Sequence, residues 1–291
     1  MDNLTMDLRR MCRHNRDGSY GTFNNRLRGL IAIAAELRTL GYKLPGSASL
    51  KPKHVSALVE HWHSADLDDA TIRNRLTWLR WWATKIDKPN VVERDNAAYN
   101  VAAKAAPRRN RAYALDPTKF HAIECPYVRA SVLLQATFGL RREEAIKFQP
   151  ATAIQRNQLV LKPSWTKGGR GRTIPITTAQ QAKALQQICR LVNGKGSLIP
   201  PRMTYVEQLK RYEYFTLKAG LRNTHGLRHA YAQQRYLTLT GRPCPLAGGK
   251  HWHQLTPIER EGDRAARYKI SGELGHGRLA ITDTYLGRAC Q

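Results

Sequence analysis

Residues 224–232 read THGLRHAYA and residues 273–286 read ELGHGRLAITDTYL. The first stretch sets His225 three residues before Arg228, and the second sets Tyr285 nine residues after His276. Working back toward the N-terminus, two further clusters precede them: ATFGLRREEA (136–145), with Arg141 and Glu144, and TKGGRGR (166–172), with Lys167. Each is weak alone. Together they gather cations, imidazoles and a phenol in the second half of the chain.

The charge lies there too. The 291 residues carry 48 Lys and Arg against 22 Asp and Glu, a formal net charge of +26, of which residues 1–100 supply +5 and the remainder +21. That much like charge on a folded domain repels itself unless a polyanion sits against it, and nucleic acid is the commonest such partner. No basic amphipathic helix with a bulky apolar face supports the other reading, a membrane surface. With 42% hydrophobic residues the chain can bury real cores, which excludes a histone-like arm, and its length fits two domains. No apolar run approaches the roughly 18 residues of a membrane span, and the N-terminus lacks a signal peptide's apolar stretch. A cytoplasmic, nucleoid-associated protein is expected. Five scattered cysteines without a CxxC pair predict reduced thiols, not a disulfide framework or zinc ribbon.

Residues 1–103 read as a helical domain. Phe23, Leu27, Leu30, Ile31, Ala34 and Leu37 form an apolar stripe that Gly41 ends; Val55, Leu58, Val59 and Trp62 form a second. A third, Ile72, Leu76, Leu79, Ala83 and Ile86, follows Asp68 or Asp69 as N-cap and leaves Arg73, Arg75 and Arg80 on other faces, expected to meet DNA. The cluster Trp78, Trp81 and Trp82 reads as core rather than as a base-stacking surface. Residues 104–114 read as a basic linker whose Arg108, Arg109 and Arg111 suit a phosphate backbone. From residue 115, a helix start at Asp116 and Pro117, an apolar helix near Val128–Thr137 and another helix after Gly139 lead to two strands. These are QLVLKPSW and RTIPI, joined through the TKGGRGR turn as a basic β-hairpin. Helices return from Thr178, interrupted by an irregular stretch from Thr240 to Pro257.

The order and wording of the four clusters closely resemble the catalytic domain of the tyrosine recombinase (phage-type integrase) family. The resemblance is strong over about residues 110–291, where the H-x-L-R-H wording, the LGH wording and the interval from His276 to Tyr285 all agree. Over about residues 20–100 it is architectural only, matching the helical, SAM-like core-binding domain of such enzymes. It implies a mainly α fold: a helical core-binding domain followed by a mostly helical α+β catalytic domain (115–291) with a small β-sheet or hairpin. It also implies that Tyr285 is the nucleophile and that Lys167 protonates the departing 5′-oxygen. His225 would be an acid/base and phosphate ligand, and His276 a further hydrogen-bond donor to the phosphate.

Chemistry gives each residue type its own reason. Phosphodiester exchange without water needs a nucleophile that can hold the phosphate covalently, cations for the charge of the pentavalent transition state, and groups to move protons at two oxygens. A tyrosine, with a pKa of about 10, is a poor nucleophile at neutral pH unless a cationic pocket favours its phenolate. Arg141 and Arg228 suit that pocket, because a guanidinium stays charged and presents a planar donor fork. Glu144, three residues after Arg141 and so on nearly the same helical face, is expected to orient an Arg or His. Arg170 and Arg172 on the hairpin are further expected phosphate contacts. No cofactor is expected: the bond energy is kept in the adduct, and the chain has no G-x-x-x-x-G-K-[ST] loop.

The chain departs from the family in one interval. His225 to His276 spans 51 residues, about twice the usual distance, so an insertion is expected within about residues 239–268. Its Cys244, His251 and His253 are too irregularly spaced to predict a metal site. Six residues follow Tyr285, which puts in doubt the C-terminal helix that many members pass to a neighbouring subunit, and the inserted segment is expected to take over that contact. The expected function is site-specific recombination, as the integrase of a mobile element. The expected partners are double-stranded DNA with attachment or core sites, further copies of the chain in a homotetramer on two sites, and an accessory DNA-bending or directionality factor. A chromosome-dimer resolvase, a type IB topoisomerase-like enzyme and a non-enzymatic architectural DNA-binding protein are the alternatives.

Overall fold

A computed structural model describes residues 2–103, 109–166 and 168–288, and the chain divides into two compact units between residues 105 and 106. Arg108, Lys167 and Cys290 lie outside the described residues.

The N-terminal unit is built from helices α1 (Asn3–His14), α2 (Tyr20–Thr39), α3 (Pro52–Ser64) and α4 (Asp69–Lys85). Helix α1 has no counterpart in the periodicity read above, which begins at Phe23. Its buried face is just Leu4, Leu8 and Cys12 at four-residue spacing with Thr5 beside them, and it starts where Asp2 Oδ1 accepts from Thr5 N at 2.7 Å. Helix α2 buries Leu30, Ile33, Ala34 and Leu37, while Ile31 is only partly covered. The helix stops because Gly41 adopts φ +85°, letting Tyr42 N reach back to Leu37 O at 2.9 Å. Helix α4 is capped by Asp68, whose Oδ1 accepts from Thr71 N at 2.7 Å. Gly29 on α2 is required by packing: a Cβ there would lie 2.2 Å from the Trp78 ring of α4. Of the expected core cluster only Trp82 is fully buried, as is Trp62 on α3, while Trp78 and Trp81 pack partly covered against the same core. Trp62 donates to Glu36, Trp81 to Asp17 and Trp82 to Ser47 O.

The second unit begins with α5 (Pro117–His121), α6 (Pro126–Phe138), α7 (Arg142–Ile146) and α8 (Pro150–Ala153). A three-stranded antiparallel sheet follows, in the order β1 (Ile154–Gln155), β2 (Gln158–Leu161), β3 (Arg172–Pro175), with Leu159 opposite Ile174. The hairpin between β2 and β3 forms as expected, but its first strand ends at Leu161 and Pro163–Trp165 is a 3₁₀ turn where QLVLKPSW reads as one strand; β1 adds a strand too short for its alternation to register. Next come α9 (Ala179–Leu191), α10 (Tyr205–Lys218), α11 (His225–Thr240), α12 (Pro257–Leu274) and the single turn α13 (Asp283–Leu286). Helices α6, α11 and α12 meet over Phe138, Tyr236, Ile270 and Leu274, and the sheet closes one side with Leu159 and Ile174. Within the expected insertion, short 3₁₀ turns at Pro245–Ala247 and Trp252–Gln254 lead into α12, which is capped by Thr256 and Glu259. Much of that segment is therefore regular helix. No helix among the described residues is long and apolar enough to cross a membrane.

Candidate active site

The first turn and a half of α11 carries His225, Arg228 and His229. Arg228 is fully buried and its guanidinium is held by main-chain carbonyls at two helix ends: Nη1 donates to Gly139 O after α6, and Nη2 to Leu274 O at the close of α12. Helix C-termini carry unpaired carbonyls and partial negative charge, so they suit a buried cation. Gly139 serves this twice. Its φ of +62° ends α6, and a Cβ there would lie 2.5 Å from the Tyr231 ring. The third donor of the fork, Nε, points to Tyr285 Oη at 3.3 Å. Burial, followed by the charge of Arg141, lowers the Arg228 pKa to about 10, with Tyr285 opposing, so it remains cationic at neutral pH.

Tyr285 sits on α13 at 6% exposure. Its hydroxyl is 3.3 Å from His225 Nε2, and its ring centroid is 5.0 Å from that of His276, stacked, and 4.3 Å from that of His229. Gln233 Nε2 donates to Tyr285 O at 3.0 Å. His276 follows Gly275, whose φ of +65° turns the chain out of α12, and its Nδ1 lies 3.0 Å from Thr282 Oγ1. All three imidazoles are held neutral. Burial first, then nearby guanidinium charge, lowers the pKa of His276 to about 3, while for His229 burial and then His225 bring it to about 4. His225 is exposed at one edge, yet desolvation of its ring and then Arg228, Arg141 and Arg111 lower its pKa. His229 was missed in the sequence, although it stands one helical turn after His225 in the quoted cluster and so shares its face.

Arg141 is the N-cap of α7 rather than a member of it, and the helix is shorter than its wording implied. The contact with Glu144 forms nonetheless: Arg141 N donates to Oε2 at 2.7 Å and Nη1 to Oε1 at 2.8 Å. Arg172 overturns an expectation. Instead of facing DNA it is buried on β3, donating from Nη1 and Nη2 to the two Glu144 oxygens at 2.8 and 2.6 Å and from Nε to Glu273 O at 2.7 Å. This bidentate pair ties the hairpin to Arg141 on one side and to the end of α12, just before His276, on the other. Burial opposes ionisation of Glu144, but the hydrogen bonds and charge of Arg172, then the charge of Arg141, outweigh it and hold the carboxyl at about 2. A carboxyl depressed from 4.5 contributes stability that is complete above about pH 4.5 and is lost as pH falls toward 2. Glu144→Gln should therefore cost about 3 kcal/mol at pH 7, and less at pH 3, in urea unfolding. Equal destabilisation at both pH values would remove the ionic account.

The remaining expected cations divide. Arg109 and Arg111 are exposed, and Arg111 is close enough to bear on His225 and His229. Arg170 is exposed on the hairpin, its guanidinium against Gly277 in the loop after His276, where a Cβ would lie 2.2 Å from Nη1. In the N-terminal unit the three arginines expected on a DNA-facing flank are engaged internally. Arg75 pairs with Glu36 at 2.6 Å, Arg80 donates to Glu93 O and Asn96 Oδ1, each at 2.8 Å, and Arg73 donates to Ala102 O. They fasten α4 to its surroundings. An open groove of about 530 Å³ lies between α2 and α4, and along it Asn25, Arg28 and Asn74 stand exposed. Among the described residues no group of three or more His, Cys, Asp or Glu side chains could hold a metal ion. Cys244 is a buried free thiol, and the His251 and His253 rings stack on each other at 5.9 Å.

Comparison with known proteins bears on the family and the fold. Residues 1–88 match the family model described as phage integrase, N-terminal, and residues 98–234 match that described as integrase. Among solved structures, a lambda integrase dimer bound to a COC′ core site superposes with a TM-score of 0.62 at 14% identity, covering 98% of this chain and 77% of that one. The Tn1549 transposon integrase in complex with transposon right end DNA gives 0.59 at 13% identity, covering 98% and 95%. The XerH site-specific recombinase bound to difH substrate gives 0.54 at 17%, covering 97% and 80%. At these identities the structural likeness is one of fold. No curated protein sequence matches significantly. With both family models matched in order and the recombinase fold spanning the chain, the protein belongs to the phage integrase family of tyrosine recombinases.

Proposed function

We propose that the protein is a site-specific DNA recombinase that cuts and rejoins strands through a 3′-phosphotyrosyl intermediate, and that it serves as the integrase of a mobile element. The observation that carries this reading is the Tyr285 hydroxyl, held 3.3 Å from both the Arg228 Nε and the His225 Nε2 inside a pocket of buried cations. Arg228 stabilises developing phenolate charge, and neutral His225 is placed to accept the phenol proton as Tyr285 Oη attacks phosphorus. Arg141 and Arg228 bear on each other as like charges with Glu144 as a local counterion, a field that a phosphate anion relieves. The Thr282 hydroxyl fits either tautomer of His276: it accepts from Nδ1–H when Nε2 accepts from Arg228 Nη2 at 3.5 Å, and it donates to Nδ1 when Nε2–H turns to a phosphate oxygen. The P–O5′ bond breaks as the phosphotyrosyl bond forms, and Lys167 supplies the proton for the leaving oxygen. Attack by the 5′-hydroxyl of a partner strand reverses the step, so neither ATP nor water is consumed.

The DNA-bound relatives, including lambda integrase as a dimer on a core site and as a tetramer on a Holliday junction, support duplex DNA as the substrate and a tetramer on two sites as the working assembly. The N-terminal unit is assigned to sequence recognition through the α2–α4 groove, since Asn and Arg carry the hydrogen-bonding patterns that read adenine and guanine edges. Arg28→Ala and Asn74→Ala should each lower the preference for the cognate over a scrambled duplex by about 1–3 kcal/mol in competition titrations, whereas Arg75→Ala should mainly lower Tm. The decisive experiment incubates the protein with nicked duplexes drawn from the DNA flanking its gene and looks for a covalent adduct on denaturing gels. Adduct formation confined to particular sequences supports recombination at defined sites. Relaxation of any supercoiled plasmid without a preferred site would select the topoisomerase reading instead.

A further inference from the structure

We propose that the segment between α11 and α13 forms an intramolecular brace for the nucleophile-bearing helix, with Arg267 as the positioning residue that fastens it to its own subunit. The proposal rests on the reading of Tyr285 as nucleophile, and its consequence is that Tyr285 is docked before any neighbouring copy arrives.

A four-residue helix cannot hold itself, because one turn leaves the nucleation cost unrecovered, so tertiary contacts must fix α13. Arg267, on α12 at 4% exposure, supplies them. Its Nε donates to Asp263 Oδ2 at 2.7 Å, one turn back on the same helix, and that carboxylate also accepts from Tyr236 OH of α11. Its Nη1 donates to Asp283 Oδ1 at 3.0 Å and to Gly287 O at 2.8 Å. One guanidinium thus grips the residue two before Tyr285 and the residue two after it. The Pro245–Ala247 turn closes from the other side. Gly287 lies so near that a Cβ would sit 2.9 Å from Pro245 Cβ and 3.2 Å from Leu246 N, and its φ of +88° is one that side chains disfavour. Cys244, just before that turn, is buried in the same core as Tyr285 and Leu286. Both anchors, the turn and Arg267, lie within residues 239–268, the stretch where an insertion is expected from the sequence. Charge-assisted hydrogen bonds in so dry a setting are strong, and removing one partner leaves the others uncompensated.

Two experiments on the full-length protein test this. Without DNA, hydrogen exchange of the peptide spanning residues 282–288 should be about tenfold or more faster in Arg267→Gln than in wild type, with peptides from α6 and α9 unchanged. Asp283→Asn is the milder variant should Arg267→Gln fail to fold, and it should accelerate the same peptide. On a nicked duplex that the wild-type protein cleaves, the variant that exchanges faster should cleave more slowly in single turnover at unchanged DNA affinity. Wild-type exchange rates in residues 282–288 for every folded variant would overturn the brace. The second experiment mixes Tyr285→Phe protein with Arg228→Ala protein on that duplex. A braced Tyr285 serves only its own pocket, so the mixture should form no adduct, and an adduct bearing the Arg228→Ala chain would overturn the proposal. Failure of wild-type protein to form any adduct would instead remove the nucleophile reading, while the exchange measurement would still judge the brace.

Discussion

Tyr285→Phe should abolish the covalent protein–DNA adduct and leave DNA affinity at the wild-type level. The substitution removes one oxygen and little else. The ring keeps its neighbours His276 and His229, and the main-chain contact from Gln233 is untouched. What is lost is the acceptor for Arg228 Nε and the partner of His225 Nε2. One buried donor left unsatisfied costs about 1–3 kcal/mol, so the variant should fold and bind while melting somewhat earlier. Neither Tyr268 nor Tyr231 is placed to substitute. Tyr268 is 73% exposed on α12, and Tyr231 is occupied in donating to Glu273 Oε2 at 2.8 Å. Labelled nicked duplex resolved on a denaturing gel measures the adduct, and a retardation assay on the same duplex measures binding. A persisting adduct in the Phe variant would show that another residue attacks.

The residues that meet around Tyr285 were legible because the order, wording and spacing of their clusters resemble a known family, and phosphoryl chemistry gives each residue type its own reason. His225 and Arg228 lie on the first turn of α11, and the interval from His276 to Tyr285 is spanned by one turn and one short helix. Arg172 was not legible. A charged residue on a hairpin reads as solvent-facing or DNA-facing until its partner is known, and Glu144 lies 28 residues away in the sequence. The same limit hid Arg267, whose partners Asp283 and Gly287 lie beyond a helix end. For Arg73, Arg75 and Arg80 the helical face was read correctly as outside the apolar stripe, but Glu36 and two carbonyls from residues 93 and 102 cover it. Net charge thus exaggerates the cations available to DNA in the N-terminal unit. Helix α1 was legible yet overlooked: Leu4, Leu8 and Cys12 line one face with Arg9, Arg10 and Arg13 away from it, a clear amphipathic pattern ahead of the stripe that begins at Phe23.

Arg228→Ala should lower single-turnover cleavage by about 10³-fold or more, and Arg228→Lys should recover little of it. Removing one donor from a preorganised anion site costs about 10²–10³ in rate, and Arg228 does more than one such donor. Its Nη1 and Nη2 bind Gly139 O and Leu274 O, so the guanidinium plane is fixed by the ends of α6 and α12 before substrate arrives, and its Nε addresses Tyr285. A lysine keeps the charge but offers a single ammonium on a flexible stem, which cannot reach two carbonyls and a phenol in that geometry. Either variant strands two helix-terminal carbonyls in a buried site, so Tm should fall as well, and the rate must be measured below the new transition. Arg141→Ala should be the gentler lesion for folding, because Arg141 is partly exposed and Glu144 retains Arg172 as its partner. Rapid-quench cleavage of the nicked duplex at saturating protein separates rate from binding. If Arg228→Lys restored cleavage to within tenfold of wild type, charge alone would suffice, and the fork geometry drawn from the two helix ends would lose its catalytic meaning.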